Sequence, residues 1–199
     1  MNFKRICVFC GSSPGSGSEY TAAARRLGHL LAERGIGLVY GGGSVGMMGH
    51  IARAVLEKNG DVTGVIPKDI ADMNVGLTEL ADLRVVNSMH ERKALMSELS
   101  DGFIALPGGL GTIEEFFEVL TWAQLGFHPK PCGLLNVDHY FDKLMDFLHH
   151  AVEREFIVKG HLDMILLDND PEVLLEKFEN YRPVKVDKAE WALRLTEGN

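Results

Sequence analysis

The chain has 199 residues, 46% of them hydrophobic and 24% charged, with a formal net charge of −8 at pH 7. A globular domain of this size buries about 70% of its unfolded surface, and the acidic balance excludes a protein that works by neutralising nucleic-acid phosphates with clustered Lys and Arg. No run approaches the roughly 18 apolar residues of a membrane helix, and the stretch behind Lys4 and Arg5 stops at Cys10, too short for a signal peptide. A soluble cytoplasmic protein with no membrane partner is expected.

Short β-rich apolar runs alternate with longer segments of helical period, the rhythm of parallel strands joined by crossover helices. The reading predicts an α/β fold, a doubly wound parallel sheet with helices on both faces, in a single domain over 1–199 whose residues 181–199 form a C-terminal tail. In chain order, strands are expected near 6–10, 37–40, 62–66, 83–86, 103–106, 133–137 and 164–167. Helices are expected near 18–34, 45–59, 88–100, 112–125, 140–155 and 171–181. Gly35 and Gly60 stand where a left-handed helix stop favours glycine. The loop from Pro67 to Asp82, acidic and containing Gly76, is the segment placed to cover a site at the carboxyl ends of the strands.

Cys7, Cys10 and Cys132 are too few for a disulfide framework. Cys7 and Cys10 lie three apart in one strand and so face opposite sides of the sheet, as core residues rather than a redox pair. The eight histidines show no zinc-ligand spacing, so no metal is predicted.

Three strands run into glycine-rich turns: Cys10-Gly11-Ser12-Ser13, Tyr40-Gly41-Gly42-Gly43-Ser44-Val45-Gly46, and Leu106-Pro107-Gly108-Gly109-Leu110-Gly111-Thr112. Glycine lets backbone approach a phosphate, and the following helix presents unpaired N–H groups and a positive dipole end. Together they suggest a nucleotide cradle. Gly41, Gly43 and Gly46 also match a dinucleotide fingerprint with Asp61 downstream, but Asp61 opens its strand, whereas the ribose-binding acid belongs at the other end. No turn carries the lysine of a nucleoside-triphosphate loop.

Projection of the helix from Ser88 puts Arg92 in the middle of a stripe formed by Met89, Leu95, Met96 and Leu99. An arginine there is snorkelling, paired in an ion pair, or facing a cavity. Lys93 beside it adds a second cation at a helix start, which an anionic ligand would relieve. Ser88-x-x-Glu91 has capping-box spacing, and Thr112-x-x-Glu115 repeats it, which gives Glu115 a structural explanation on a polar face with Glu114 and Glu118.

The segment Pro107-Gly-Gly-Leu-Gly-Thr-Ile-Glu-Glu115, preceded by Met89-His-Glu-Arg92-Lys93, resembles the paired signature of the LOG (Lonely Guy) family of cytokinin-activating phosphoribohydrolases. The similarity extends to Gly11-Ser12-Ser13, Gly41-Gly42-Gly43, Thr121-Trp122-Ala-Gln-Leu-Gly126 and Gly133-Leu-Leu-Asn-Val137. The resemblance implies a modified Rossmann fold, a homodimer, and hydrolysis of AMP or N6-modified adenosine 5′-monophosphates to free base and ribose 5-phosphate, without cofactor or metal. Carried over by position, the catalytic pair is Arg92 and Glu115. The substrate-binding set is Gly11, Ser12, Gly41, Gly42, Met89, Lys93, Gly108, Gly109, Leu110, Gly111, Thr112 and Thr121. The family's older label, lysine decarboxylase, calls for a pyridoxal-phosphate Schiff-base lysine. The competing readings are a non-enzymatic nucleotide or molybdenum-cofactor carrier and an NAD(P)-binding protein.

Overall fold

The computed structural model describes residues 3–73, 76 and 80–184. In chain order it contains β1 (Arg5–Phe9), α1 (Ser18–Glu33), β2 (Gly37–Tyr40), α2 (Gly46–Glu57), β3 (Val62–Pro67), α3 (Lys68–Ala71), β4 (Asp82–Val86) and α4 (Met89–Glu98). There follow β5 (Gly102–Ala105), α5 (Leu110–Gln124), β6 (Cys132–Leu135), α6 (Asp142–Glu153), α7 (Lys159–Leu162), β7 (Ile165–Asp168) and α8 (Pro171–Glu179). The seven strands form one parallel sheet in the order β4-β3-β2-β1-β5-β6-β7.

Central strands of a doubly wound sheet are covered on both faces, so they read as continuous apolar runs. β2, β3, β5 and β6 are buried throughout, while the edge strands β4 and β7 are only partly so. One core holds Ile6, Val8, Leu38 and Tyr40 against α1, α2 and α8; the other holds Cys7, Phe9, Phe103 and Phe116 against α4, α5 and α6. Cys7 and Cys10 fall in opposite cores, and all three cysteines are free and buried. The order reverses between β1 and β5, and at such a switch point the loops leaving adjacent strands diverge and open a crevice.

Local chemistry corrects several boundaries. Gly35 takes the left-handed stop after α1 (φ 67), but after α2 it is Asn59 (φ 56), not Gly60, that does so. At α4 the Ser88 hydroxyl accepts from Glu91 N at 3.1 Å, and the Glu91 carboxylate accepts from Asn87 N at 2.8 Å. α5 starts two residues earlier than its sequence suggests, with extended Gly109 as the N-cap, so Thr112 lies inside the first turn and the capping box with Glu115 does not form. α6 starts later than expected, because Asp138 and His139 adopt positive φ (49 and 60) and the Asn136 amide holds Phe141 N and Asp142 instead. The short α3 and α7 carried no clear periodic signal. In the loop proposed as a cover, Gly76 bridges to Gly43; residues 74–75 and 77–79, like 185–199 of the expected tail, lie outside the described residues.

The glycine turns pack on one another. Gly11 N donates to Pro107 O at 3.1 Å, and Gly46, at φ 58, lies so close to the Ser12 backbone that a Cβ would collide with Ser12 O. Gly35 shares the left-handed backbone but has open space around it. Gly35→Ala is therefore expected to lose about 1 kcal/mol of unfolding free energy, and Gly46→Ala clearly more, up to about 3 kcal/mol, in urea titrations. Equal losses would mean that the contact between the turns carries no weight.

Candidate active site

The three turns meet at the carboxyl edge of the sheet, at the switch point, and two cavities open there. One, of about 340 Å³, lies on the α4–α5 side and is lined by Phe9, Cys10, Met48, Arg92, Thr112 and Glu115 among others. The second, of about 300 Å³, lies on the α1 side. Gly11, Ser12 and Gly109 line both.

Arg92 is buried, and its position has three causes. Its Nη1 donates to Glu115 Oε1 at 2.6 Å, its Nε donates to Val65 O at 3.1 Å, and the missing side chain of Gly41 leaves room for Nη2, which a Cβ would strike. Glu115 is buried too, which corrects its assignment to a polar face: it points from α5 toward α4, whereas Glu114 on the same helix is exposed. Burial pushes the Glu115 carboxyl above the ordinary glutamate range, opposed by the attraction of Arg92. The Cys7 and Cys10 thiols beneath are raised by burial first and by the Glu115 charge second, so they stay neutral.

The first N–H groups of a helix have no intrahelical partner. In α5 these belong to Leu110, Gly111 and Thr112, and the side chain of Thr112 packs where a Cβ on Gly108 would sit. This gives the positive end of a helix dipole, bare of side-chain caps, beside an ion pair. Met89 and Leu110 are exposed at the rim.

Three residues of the expected set stand elsewhere. Lys93 Nζ bonds Glu114 at 2.6 Å and Glu118 at 2.9 Å, so two carboxylates of α5 relieve the cation at the α4 start and no anionic ligand is required. Gly42 is buried behind Gly41, toward Ile66 and Leu83. Thr121 lies exposed farther along α5, beside a separate apolar cavity with Phe117 and Leu148. Sequence reasoning did not single out Phe9, Cys10 and Met48 as lining the cavity of the ion pair, nor Tyr20, Met47 and Tyr140 as lining the separate one on the α1 side. The Tyr140 hydroxyl donates to Gly108 O at 2.7 Å, a contact created by the two positive-φ residues before it.

Removing one partner of a buried ion pair strands the other charge. Arg92→Met is expected to cost about 3 kcal/mol at pH 7 in urea unfolding, and much less in a Glu115→Gln background. Loss of Arg92 raises the folded-state affinity of Glu115 for a proton further, so the deficit should shrink as pH falls. Additive single and double variants would show that the two side chains are not coupled.

The family described as "Possible lysine decarboxylase" matches residues 48–178. A probable cytokinin riboside 5′-monophosphate phosphoribohydrolase of Oryza sativa subsp. japonica is 50% identical over 194 residues, covering 96% of this chain and 78% of that one. A cytokinin riboside 5′-monophosphate phosphoribohydrolase of Arabidopsis thaliana is 49% identical over 181 residues, covering 91% and 84%. Among solved structures, the molybdenum cofactor binding protein of Rippkaea orientalis superposes with a TM-score of 0.67 at 24% identity over 88% of this chain and 95% of that one. The molybdenum cofactor carrier protein of Chlamydomonas reinhardtii gives 0.67 at 19% identity over 89% and 99%. Those two likenesses concern the fold, whereas half-identity along nearly the whole length establishes kinship: the chain belongs to the LOG family of phosphoribohydrolases.

Proposed function

We propose that this protein hydrolyses the N-glycosidic bond of adenosine 5′-monophosphates, N6-modified ones included, releasing the free base and ribose 5-phosphate. The observation that carries the reading is the buried Arg92–Glu115 pair at 2.6 Å, opening on a cavity that the α5 N-terminus also faces. The relatives at about half identity bear the name of that activity.

The 5′-phosphate sits on the turn from Gly108 to Thr112 and takes the N–H groups of Leu110, Gly111 and Thr112 with the Thr112 hydroxyl. Gly11, Ser12 and Gly41 provide backbone against the ribose, and Met89 and Leu110 form the rim. As the bond from C1′ to the base breaks, its electron pair leaves with the base and C1′ gains oxocarbenium character. The Glu115 carboxylate stabilises that charge and takes a proton from the water that bonds to C1′; the proton then passes to the departing base. Arg92 keeps Glu115 ionised and aimed, and the Val65 carbonyl keeps Arg92 in place. Lys93 acts indirectly, by tying α4 to α5 through Glu114 and Glu118.

Lysine decarboxylation would need an amine in the site to hold pyridoxal phosphate as a Schiff base. No lysine is among the described residues lining either cavity, and Lys93 Nζ is engaged by two carboxylates. The residues present do not fit that group.

Purified protein incubated with AMP and with isopentenyladenosine monophosphate is expected to release base and ribose 5-phosphate, followed by chromatography. Arg92→Ala and Glu115→Gln should each lower kcat/KM at least about a hundredfold. Tight AMP binding without product would favour a carrier. Because Glu115 must be ionised and its carboxyl is raised by burial, kcat/KM should fall on the acid side at a pH above the ordinary glutamate range, a limb absent from the residual activity of Glu115→Gln.

We also infer a cytoplasmic homodimer. Among the described residues no helix is long and apolar enough to cross a membrane. Leu110, Phe127, Phe147 and Phe156 are 87%, 73%, 63% and 88% exposed, large apolar side chains that a second copy would cover. Light scattering should give twice the chain mass; the mass of one chain would refute the dimer.

A further inference from the structure

The reaction above uses the cavity on the α4–α5 side and leaves the α1-side cavity without a task. That second cavity is walled by Tyr20, Tyr140, Met47 and Pro107, with Ser13 and Gly15 at its mouth. Among the described residues that line it, no side chain is an acid, a lysine, an arginine or a histidine. The two tyrosine rings meet edge to face, 6.1 Å apart at 79°. The hydroxyl of Tyr140 is spent on Gly108 O, which leaves an apolar ring edge fixed at the wall. Met47 is fully buried beneath, and Gly15, at φ 80, lies so close that a Cβ would press into the Tyr20 ring.

The position of this cavity matters as much as its lining. Gly109, the N-cap of α5, faces both cavities, as do Gly11 and Ser12, so the partition between them is glycine-turn backbone at the phosphate cradle. A phosphate at that helix end carries its ribose ester toward the catalytic pair. A second ester on the same phosphorus would project across the partition. A neutral aromatic or aliphatic group suits such walls, whereas a further phosphate would be desolvated with no cation among the described lining residues to meet it. About 150 Å³ suffices to hold a benzene ring in a protein interior, so a cavity of about 300 Å³ has room for one.

We propose that the α1-side cavity is a subsite for a neutral aromatic or apolar group esterified to the 5′-phosphate, so that the protein binds adenosine 5′-phosphodiesters as well as the monoester. The inference rests on the nucleotide reading of the neighbouring cavity.

The test uses AMP, its methyl phosphodiester and its phenyl phosphodiester, each diester titrated as a competitor of AMP hydrolysis and by calorimetry. The phenyl ester is expected to bind about tenfold more tightly than the methyl ester, a difference of the size an aromatic contact provides. Tyr20→Ala should abolish that preference with the KM for AMP unchanged. Ser13→Phe, at an exposed position on the rim, fills the cavity instead of emptying it and should abolish the same preference; it stands in for Tyr20→Ala should that variant fail to fold, as judged by its thermal transition. Wild-type protein that hydrolyses AMP yet binds both esters equally, or a preference that survives a folded variant, overturns the subsite alone. Failure to hydrolyse AMP at all overturns the catalytic reading, and the subsite with it.

Discussion

A guanidinium and a carboxylate buried together beneath three glycine turns set the terms for this site. Taking two charges out of water costs more than their attraction commonly returns, and a pair of apolar side chains of similar volume would pack as well or better. Stability is therefore a poor account of Arg92 and Glu115. Chemistry is a better one: a carboxylate raised by burial and held beside one guanidinium accepts a proton more readily than an exposed glutamate does. The remaining contacts of Arg92 belong to the same arrangement, since Val65 supplies a carbonyl from within β3 and Gly41 supplies empty space after β2.

That pair can be held because the sheet edge around it is built from backbone rather than flexible side chains. The turn after β1 is hydrogen-bonded to the turn after β5 through Gly11 and Pro107, and the turn after β2 is pressed on Ser12 through Gly46. Tyr140, from the segment after β6, ties Gly108 from the other side. Four of the seven strands thus contribute to one small surface, so the positions of the free N–H groups at the start of α5 follow from sheet register. Loops on a rigid scaffold carry function in this way when their own backbone is constrained.

Much of this was legible in the sequence. The strand-and-helix rhythm gave a parallel sheet, the three glycine turns marked its working edge, and Arg92 stood out because a cation in the middle of an apolar stripe requires a partner. Glu115 was misread for a definable reason. A helical projection assumes one buried face, yet α5 packs on the sheet through Phe116, Val119 and Leu120 and also meets α4, so residues on its second side are buried without being apolar. The same second contact hid the partners of Lys93, because Glu114 and Glu118 lie more than twenty residues away along the chain. Thr112 read as a cap only because Gly109, with no side chain to signal it, takes that role. Tyr140 had only a weak signal: Asp and His are among the residue types enriched at positive φ, but that enrichment does not mark where Asp138 and His139 would turn the chain.

The two cavities differ most in charge. One is floored by an ion pair, the other is walled by tyrosine and methionine, and a single helix end faces the partition between them. On the proposed reading, the dipole and free N–H groups of α5 would fix where a phosphate sits without deciding what is attached to it. That decision passes to the walls: a group whose cleavage develops charge belongs beside Arg92 and Glu115, and a group that stays neutral is favoured on the other side. A doubly wound sheet presents two faces at its switch point, and on the proposed reading each face would offer the same phosphate a different chemical neighbourhood.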